Sequence, residues 1–260
     1  MAFLQNRQRL YQVEQFLQRA PGVSQRYVKA YSDLIAGLVR DGIWSNLDAL
    51  YIFVTDTEEH AKINLKSSSF GITETTTVNF TANAGSTNSN GYFDTGFTPS
   101  TANGRFALDA CSIGTYQTNS YTTGETRAHI AGADATNSIG LYHKHGNGLT
   151  TVALNSGTYY TSGAQADNQG MFIATRPASN SFKCYKNGSE IITGTGSGAA
   201  LVTQPLYIFA NNNNGSAIHS LTSNYTLGAA FIGGALTPTD AANLTTRINT
   251  YMTVFGVNAF

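Results

Sequence analysis

From residue 70 to about residue 235 the chain breaks into short apolar runs, and this segmentation limits the fold more than any other feature. RFALDACSIGTY, TRAHIAG, SIGLYHKH, LTTVALN, QGMFIATRP, SFKCYKNGSEII, PLYIFANN and NYTLGAAFIGG carry β-branched or aromatic residues, and Gly, Asn, Ser and Thr separate them. Runs of roughly five to eight residues at this spacing read as strands of a β-sandwich or jelly roll. Asn187-Gly188 is the strongest local signal. Both residues tolerate positive φ, as a two-residue hairpin turn requires. In GYFDTGF, Gly91 to Phe97, strand alternation puts Phe93 and Phe97 on one face and Tyr92 and Asp94 on the other. The phenylalanines are expected inside, with Phe106, Phe172, Phe182, Tyr207, Phe209 and Phe231. Asp94 is expected at a strand edge, where its carboxylate can accept backbone N–H bonds.

Both ends of the chain change period. Leu10, Val13, Phe16 and Leu17 share a helix face, and Pro21-Gly22 breaks that helix. Ser24 suits the N-cap of a second helix, whose stripe is Tyr27, Val28, Tyr31, Leu34, Ile35, Leu38 and Val39. Asp41-Gly42 ends it. A stripe this wide must be covered, by the chain's own domain or by a partner. On the partner reading, Tyr27, Tyr31, Leu34 and Leu38 are the docking residues. Ser45 is expected to cap a short helix through Leu50. Asp56 or Thr57 is expected to cap another over Glu58, Glu59 and Ala61. At the other end Thr237 or Thr239 can cap a helix with Pro238 in its first turn; Leu244, Ile248, Tyr251 and Met252 form its stripe and Gly256 stops it. The expected division is a helical anchor over 1–69 and a sandwich with a closing helix over 70–260.

Hydrophobic residues make up 41% of the chain, enough for a sizeable core. Charged residues are only 12%, about half the usual roughly 25%. A surface of amides and hydroxyls is common in viral structural proteins and in all-β proteins outside the cytosol. Net charge is zero, and no dense basic face of the kind nucleic acid demands is evident. No apolar run is long enough for a membrane helix, so no membrane insertion is expected. The opening MAFLQNRQRLYQVEQFLQRA has no apolar signal core, so no secretory leader is expected. Cys111 and Cys184 lack metal spacing and read as small buried residues.

Catalytic signals are weak. A retaining glycosidase needs two carboxylates roughly 5 Å apart. Beyond residue 80 the carboxylates are Asp94, Asp109, Glu125, Asp134, Asp167, Glu190 and Asp240, none within two or four residues of another. A strand-borne pair is therefore absent. Adjacent Glu58, Glu59 and His60 diverge on a helix, where carboxylates complement the macrodipole. His143 and His145 would share a strand face. Two imidazoles can start a zinc site, but no third ligand is near, and exposure at a strand end is expected. Neither a Gly-x-Ser-x-Gly elbow nor a phosphate loop is present. Sugar binding needs aromatic platforms and amides on loops. NSGTYYTSG and ANNNNGS supply these types, which makes Tyr159, Tyr160, Asn211 and Asn213 candidate ligand-binding residues.

Four segments in order, DGIWSNLDALYIFVTDTEEHAKINLK, NGYFDTGFTPST, CYKNGSEII and GAAFIGGALTPTDAANLTTRINTYMTVFG, resemble a group of phage and prophage virion proteins. In that group Trp-x-x-Leu-Asp-Ala-Leu-Tyr precedes a concanavalin A-like (LamG-like) lectin/glucanase jelly roll. Tyr-x-Asp-Thr-Gly-Phe opens the sandwich, an Asn-Gly hairpin lies mid-way, and glycine, Leu-Thr and a helix close it. The likeness spans roughly residues 41–256; residues 1–40 carry none. It implies a mainly β chain: a concanavalin A-like antiparallel β-sandwich with an N-terminal helical segment and a C-terminal helix. It also implies a non-enzymatic virion component, serving tail-fibre or tail-tip adhesion or capsid decoration and needing no cofactor. Its partners would be other virion proteins through the N-terminal helices, sister copies in a homo-oligomer and a host surface glycan, with no nucleic acid. The rival reading is a lectin or polysaccharide hydrolase acting on host glycans.

Overall fold

The computed structural model describes residues 2–75, 78–88, 91–120, 127–145, 147–221 and 225–260, with the side chains of 2–9, 87 and 88 left aside. Glu125 lies outside the described residues. Two sheets face each other, with strands numbered in chain order. The first sheet runs β13 (Ser189–Gly194), β12 (Ser181–Lys186), β11 (Gly170–Ala178), β6 (Cys111–Gln117), β17 (Thr226–Gly233), β4 (Gly85–Asn88) and β3 (Val78–Thr81). β1 (Leu47–Ile52) also pairs with β17, placing Leu50 opposite Phe231. The second sheet runs β10 (Tyr160–Ala164), β9 (Leu149–Ser156), β8 (Ser138–Tyr142), β7 (Ile130–Ala133), β14 (Tyr207–Ile208), β5 (Tyr92–Asp94) and β2 (Thr73–Thr75). A hairpin of β15 (Asn211–Asn213) and β16 (Ser216–Ile218) joins β7 through a parallel pairing with β15. The other described pairings are antiparallel. The mainly β sandwich expected from the segmented runs is present, helices at both ends included.

Alternation sorts the side chains into layers. Phe93, Phe97, Phe106, Phe172, Phe182 and Phe209 are buried between the sheets. Asp94 accepts the Gly96 N–H at 2.8 Å across the turn that follows β5, the architectural role expected of it. Two inward assignments were misplaced. Phe231 is buried on the far side of the first sheet, beneath the helices. Tyr207 stacks on Tyr92 at 4.3 Å, away from the inter-sheet cluster, because β14 and β5 run opposite each other with these side chains on one face. Asn187 and Gly188 both have positive φ (51° and 82°), which closes the β12–β13 hairpin.

Arg176 lies wholly buried in β11 and was not anticipated. Its guanidinium donates to the Leu154, Ser179 and Gly196 carbonyls. The planar fork of five donors lets one side chain tie β11 to β9 across the sandwich. Cys111 and Cys184 are buried free thiols, and burial pushes Cys111 up to about 12.

The helices form a third layer on the outer face of the first sheet: α1 (Ala2–Arg19), α2 (Gln25–Arg40) and α4 (Pro238–Val254), with the short α3 (Glu58–Ala61) between. Thr237 and Asp240 close a capping box at the start of α4, and Thr57 caps α3. Among the described residues no helix is long and apolar enough to cross a membrane. Ser24 does not cap α2 with its side chain; its N–H donates to Asp56 at 2.9 Å. The short helix expected from Ser45 to Leu50 is a single 3-10 turn over Trp44–Asn46 followed by β1. Strand pairing with β17 outweighs the local helix signal there. The first sheet therefore takes a strand from the segment assigned above to the anchor.

The four proposed docking residues are covered from within the chain, which corrects their reading as an open partner surface. Tyr27, Tyr31, Leu34 and Leu38 are all buried in one cluster with α4 and the sheet. Tyr27 stacks on Phe255 at 4.1 Å, and Tyr31 packs between Phe16 and Tyr251. The Tyr31 hydroxyl donates to Thr55 at 2.9 Å. The closing helix α4 supplies the cover that the stripe requires.

Candidate functional site

The outer face of the second sheet, on the opposite side of the sandwich from the helices, is hollowed into a cleft of about 470 Å³. Alternation again decides which residues reach it. Ile139 and Leu141 of β8 and Val152 of β9 point into the core, so Ser138, Tyr142 and Thr151 point out. Asp134, the β15–β16 hairpin, His145, Asn147 and Tyr159 complete the lining around them. That hairpin turns at Asn214-Gly215, with φ of 52° and 89°, and carries Ile218 and His219 alongside Asn211.

Tyr142 forms the floor. Gly140 leaves room for its ring, since a Cβ there would meet ring atom Cε2 at 2.9 Å. Tyr159, His145 and His219 stand edge-on around it at centroid distances of 6.2, 5.8 and 6.5 Å. Tyr159 is 42% exposed, the most open of the large apolar residues in the cleft. Burial pushes the Tyr142 hydroxyl far above the ordinary phenol value, and nearby Tyr159 adds to this. Burial also lowers His145 and His219, and His145 and Arg127 depress His219 further. Both imidazoles are neutral at neutral pH.

Two polar atoms in this lining lack partners. Thr151 Oγ1 and Asn211 Oδ1 are buried without a hydrogen bond, on side chains only 6% and 5% exposed. Buried polar atoms are normally satisfied, so each such atom in a concave site marks a place for a ligand group or water. Three other hollows among the described residues, of about 360, 350 and 500 Å³, have no such atom in their linings. Asp134 is already occupied. Its carboxylate accepts from Thr136 and Asn137 N–H at 3.0 and 2.9 Å and from Thr203 N–H at 3.2 Å. Burial opposes its ionisation, but these bonds outweigh burial and lower its pKa.

Of the four sequence-based ligand candidates, the fold brings Tyr159, Asn211 and Asn213 to the cleft. Tyr160 points the other way and packs on Phe182 at 4.8 Å, since adjacent strand residues face opposite sides. Tyr142, Thr151, His145 and His219 were missed. The alternation of SIGLYHKH and a second Asn-Gly pair, at 214–215, were the available signals.

His143 and His145 do not share a face. His143 is wholly buried, stacked between His129 at 3.6 Å and Phe172 at 3.9 Å. It bonds Thr115 through Nε2 at 2.6 Å and the Asn168 carbonyl through Nδ1 at 3.2 Å. A carbonyl only accepts, so Nδ1 carries the His143 proton and Nε2 accepts from Thr115. The His143 N–H points at His129 Nδ1, so His129 keeps its proton on Nε2, which bonds Gln117 at 2.8 Å. Both rings are fixed as neutral tautomers inside the core. Glu58 pairs with Lys62 at 2.5 Å, and His60 bridges Asp56 and the Pro21 carbonyl, so these two residues are architectural. Among the described residues no three of His, Cys, Asp and Glu gather to hold a metal ion.

No protein-family model and no curated protein sequence matches the chain. Solved structures do. Domain 4 of AbnA, a GH43 extracellular arabinanase from Geobacillus stearothermophilus in complex with arabinotriose, is similar with a TM-score of 0.54 at 16% identity, over 77% of this chain and 98% of that one. A mutant Trypanosoma rangeli sialidase displaying trans-sialidase activity gives 0.55 at 10% identity, over 86% of this chain and 39% of that one. The botulinum neurotoxin serotype D binding domain gives 0.54 at 12% identity, over 79% of this chain and 52% of that one. The fold is the jelly-roll sandwich these proteins share. At such identities the likeness extends to the fold alone.

Proposed function

We propose that the chain is a non-catalytic glycan-binding sandwich carried by a phage particle. The observation that carries the binding reading is the pair of unpartnered oxygens, Thr151 Oγ1 and Asn211 Oδ1, in a cleft whose most open large apolar side chain is Tyr159. Sugar rings present both an apolar face, which packs on an aromatic, and hydroxyls that satisfy buried polar groups. The arabinotriose complex of the similar arabinanase domain supports a saccharide as the ligand class. Against hydrolysis stands the chemistry of the cleft. Asp134 is the one carboxylate among its described lining residues, and both its oxygens are engaged. The commonest acid/base route to glycosidic cleavage uses two free carboxyl groups.

A virion setting rests on the resemblance of the four segments to phage virion proteins, and it favours adhesion to a host surface glycan as the task. With α2 covered, the part of the helical segment left to meet other virion proteins or sister copies is the open face of α1, where Leu10 and Tyr11 are exposed. Tyr159→Ala is expected to weaken glycan binding about tenfold, the loss of one aromatic platform, while the melting temperature stays unchanged. Tyr160→Phe should leave binding intact. Isothermal titration on a glycan identified by array checks both. Undiminished affinity in Tyr159→Ala would remove the cleft from consideration.

A further inference from the structure

The cleft's electrostatics extend the glycan-binding reading, on which this step rests. No lysine or arginine lines the cleft. Residues 121–126, 146 and 222–224, outside the described set, contain neither residue type in sequence. His145 and His219 are held neutral by burial, so Asp134 is the one described lining residue charged at neutral pH. A glycan that carries a carboxylate, sulfate or phosphate must give up water around that group on binding. Proteins offset this with a guanidinium or ammonium in contact. Here the acidic group would meet phenols and amides, with a fixed carboxylate close by.

The unpartnered atoms point the same way. Asn211 Oδ1 is an amide oxygen, which accepts and cannot donate. Its partner must be a hydroxyl or an N–H, since an ionised acid group brings no proton. Thr151 Oγ1 can donate or accept, so it suits a hydroxyl equally well.

We infer that the cleft selects uncharged oligosaccharides and discriminates against glycans whose ring at this position carries an acidic group. The selection is made by the absence of a cation from the lining, Arg127 near His219 donating to the Ser220 carbonyl, together with the acceptor-only Asn211 oxygen. The full chain is tested on an array of matched neutral and acidic glycans, such as lactose with sialyllactose and methyl-esterified with free oligogalacturonate. Titration at neutral pH then measures the strongest responder and its matched partner. The neutral member should bind at least about tenfold tighter, with little change from low to high salt, and Tyr159→Ala should weaken the neutral member about tenfold. Equal affinity for both members, or preferred binding of the acidic one that weakens with salt, overturns the charge selection and leaves glycan binding standing. Silence across the whole array overturns the glycan-binding reading itself.

Discussion

Expressed from residue 41 onward, the chain will not yield a folded monomer. Residues 1–40 supply Phe16, Tyr27, Tyr31, Leu34, Ile35 and Leu38, all buried. Each large side chain taken out of water contributes about 1.5–3 kcal/mol, so these six together amount to on the order of 10 kcal/mol. That is comparable to the whole stability of a domain, roughly 5–15 kcal/mol. Deletion would also bare Leu50, Ile52, Val54, Ile248, Tyr251 and Phe255, which share the same cluster. Size-exclusion chromatography and near-ultraviolet circular dichroism of the truncated protein check this, and aggregation without a near-ultraviolet signal is expected. A soluble truncated protein with a cooperative melt would mean that α4 and β1 can close the sheet unaided.

Acid will destabilise the protein well before its carboxylates titrate. Burial depresses His129 to about 3 and holds His143 well below the ordinary histidine value, with the His129 ring adding to the latter. In the unfolded chain both take up protons near pH 6.5. Groups with depressed folded pKa values favour the native state above the unfolded pKa, and that contribution is lost as pH falls. His129 alone accounts for about 2 kcal/mol lost between pH 6.5 and 4.5, and His143 adds to the loss in the same direction. Protonation has no cheap route in the fold. A proton on His129 Nδ1 would confront the His143 N–H, at 3.3 Å. Urea melts at stepped pH check the slope, and a midpoint that stays flat between those pH values would contradict the buried, neutral pair.

The strand framework was legible because period-2 patterns and Asn-Gly turns act locally. Ile139, Leu141 and Val152 announce their inward faces, and Asn187-Gly188 announces its hairpin. What sequence left hidden depends on partners far along the chain. LDALYI reads as helix until β17 is there to pair with it. The α2 stripe looks unpartnered until α4, some two hundred residues later, covers it. His143 differs from an exposed histidine only because His129, Thr115 and Phe172 arrive from other strands. The cleft was half legible for the same reason. Tyr159 and the asparagine run stand out by residue type, whereas Thr151 and Tyr142 become site residues only once β8 and β9 lie side by side.

The most direct test of the account is to map backbone amide shifts of the full chain on titration with the tightest neutral glycan from the array. Glycan binding in the cleft predicts saturable changes confined to β7 to β10 and the β15–β16 hairpin, greatest at Tyr142, Thr151, Tyr159, Asn211 and His219. Changes concentrated on the helical layer, or along the β3–β4 edge, would contradict it.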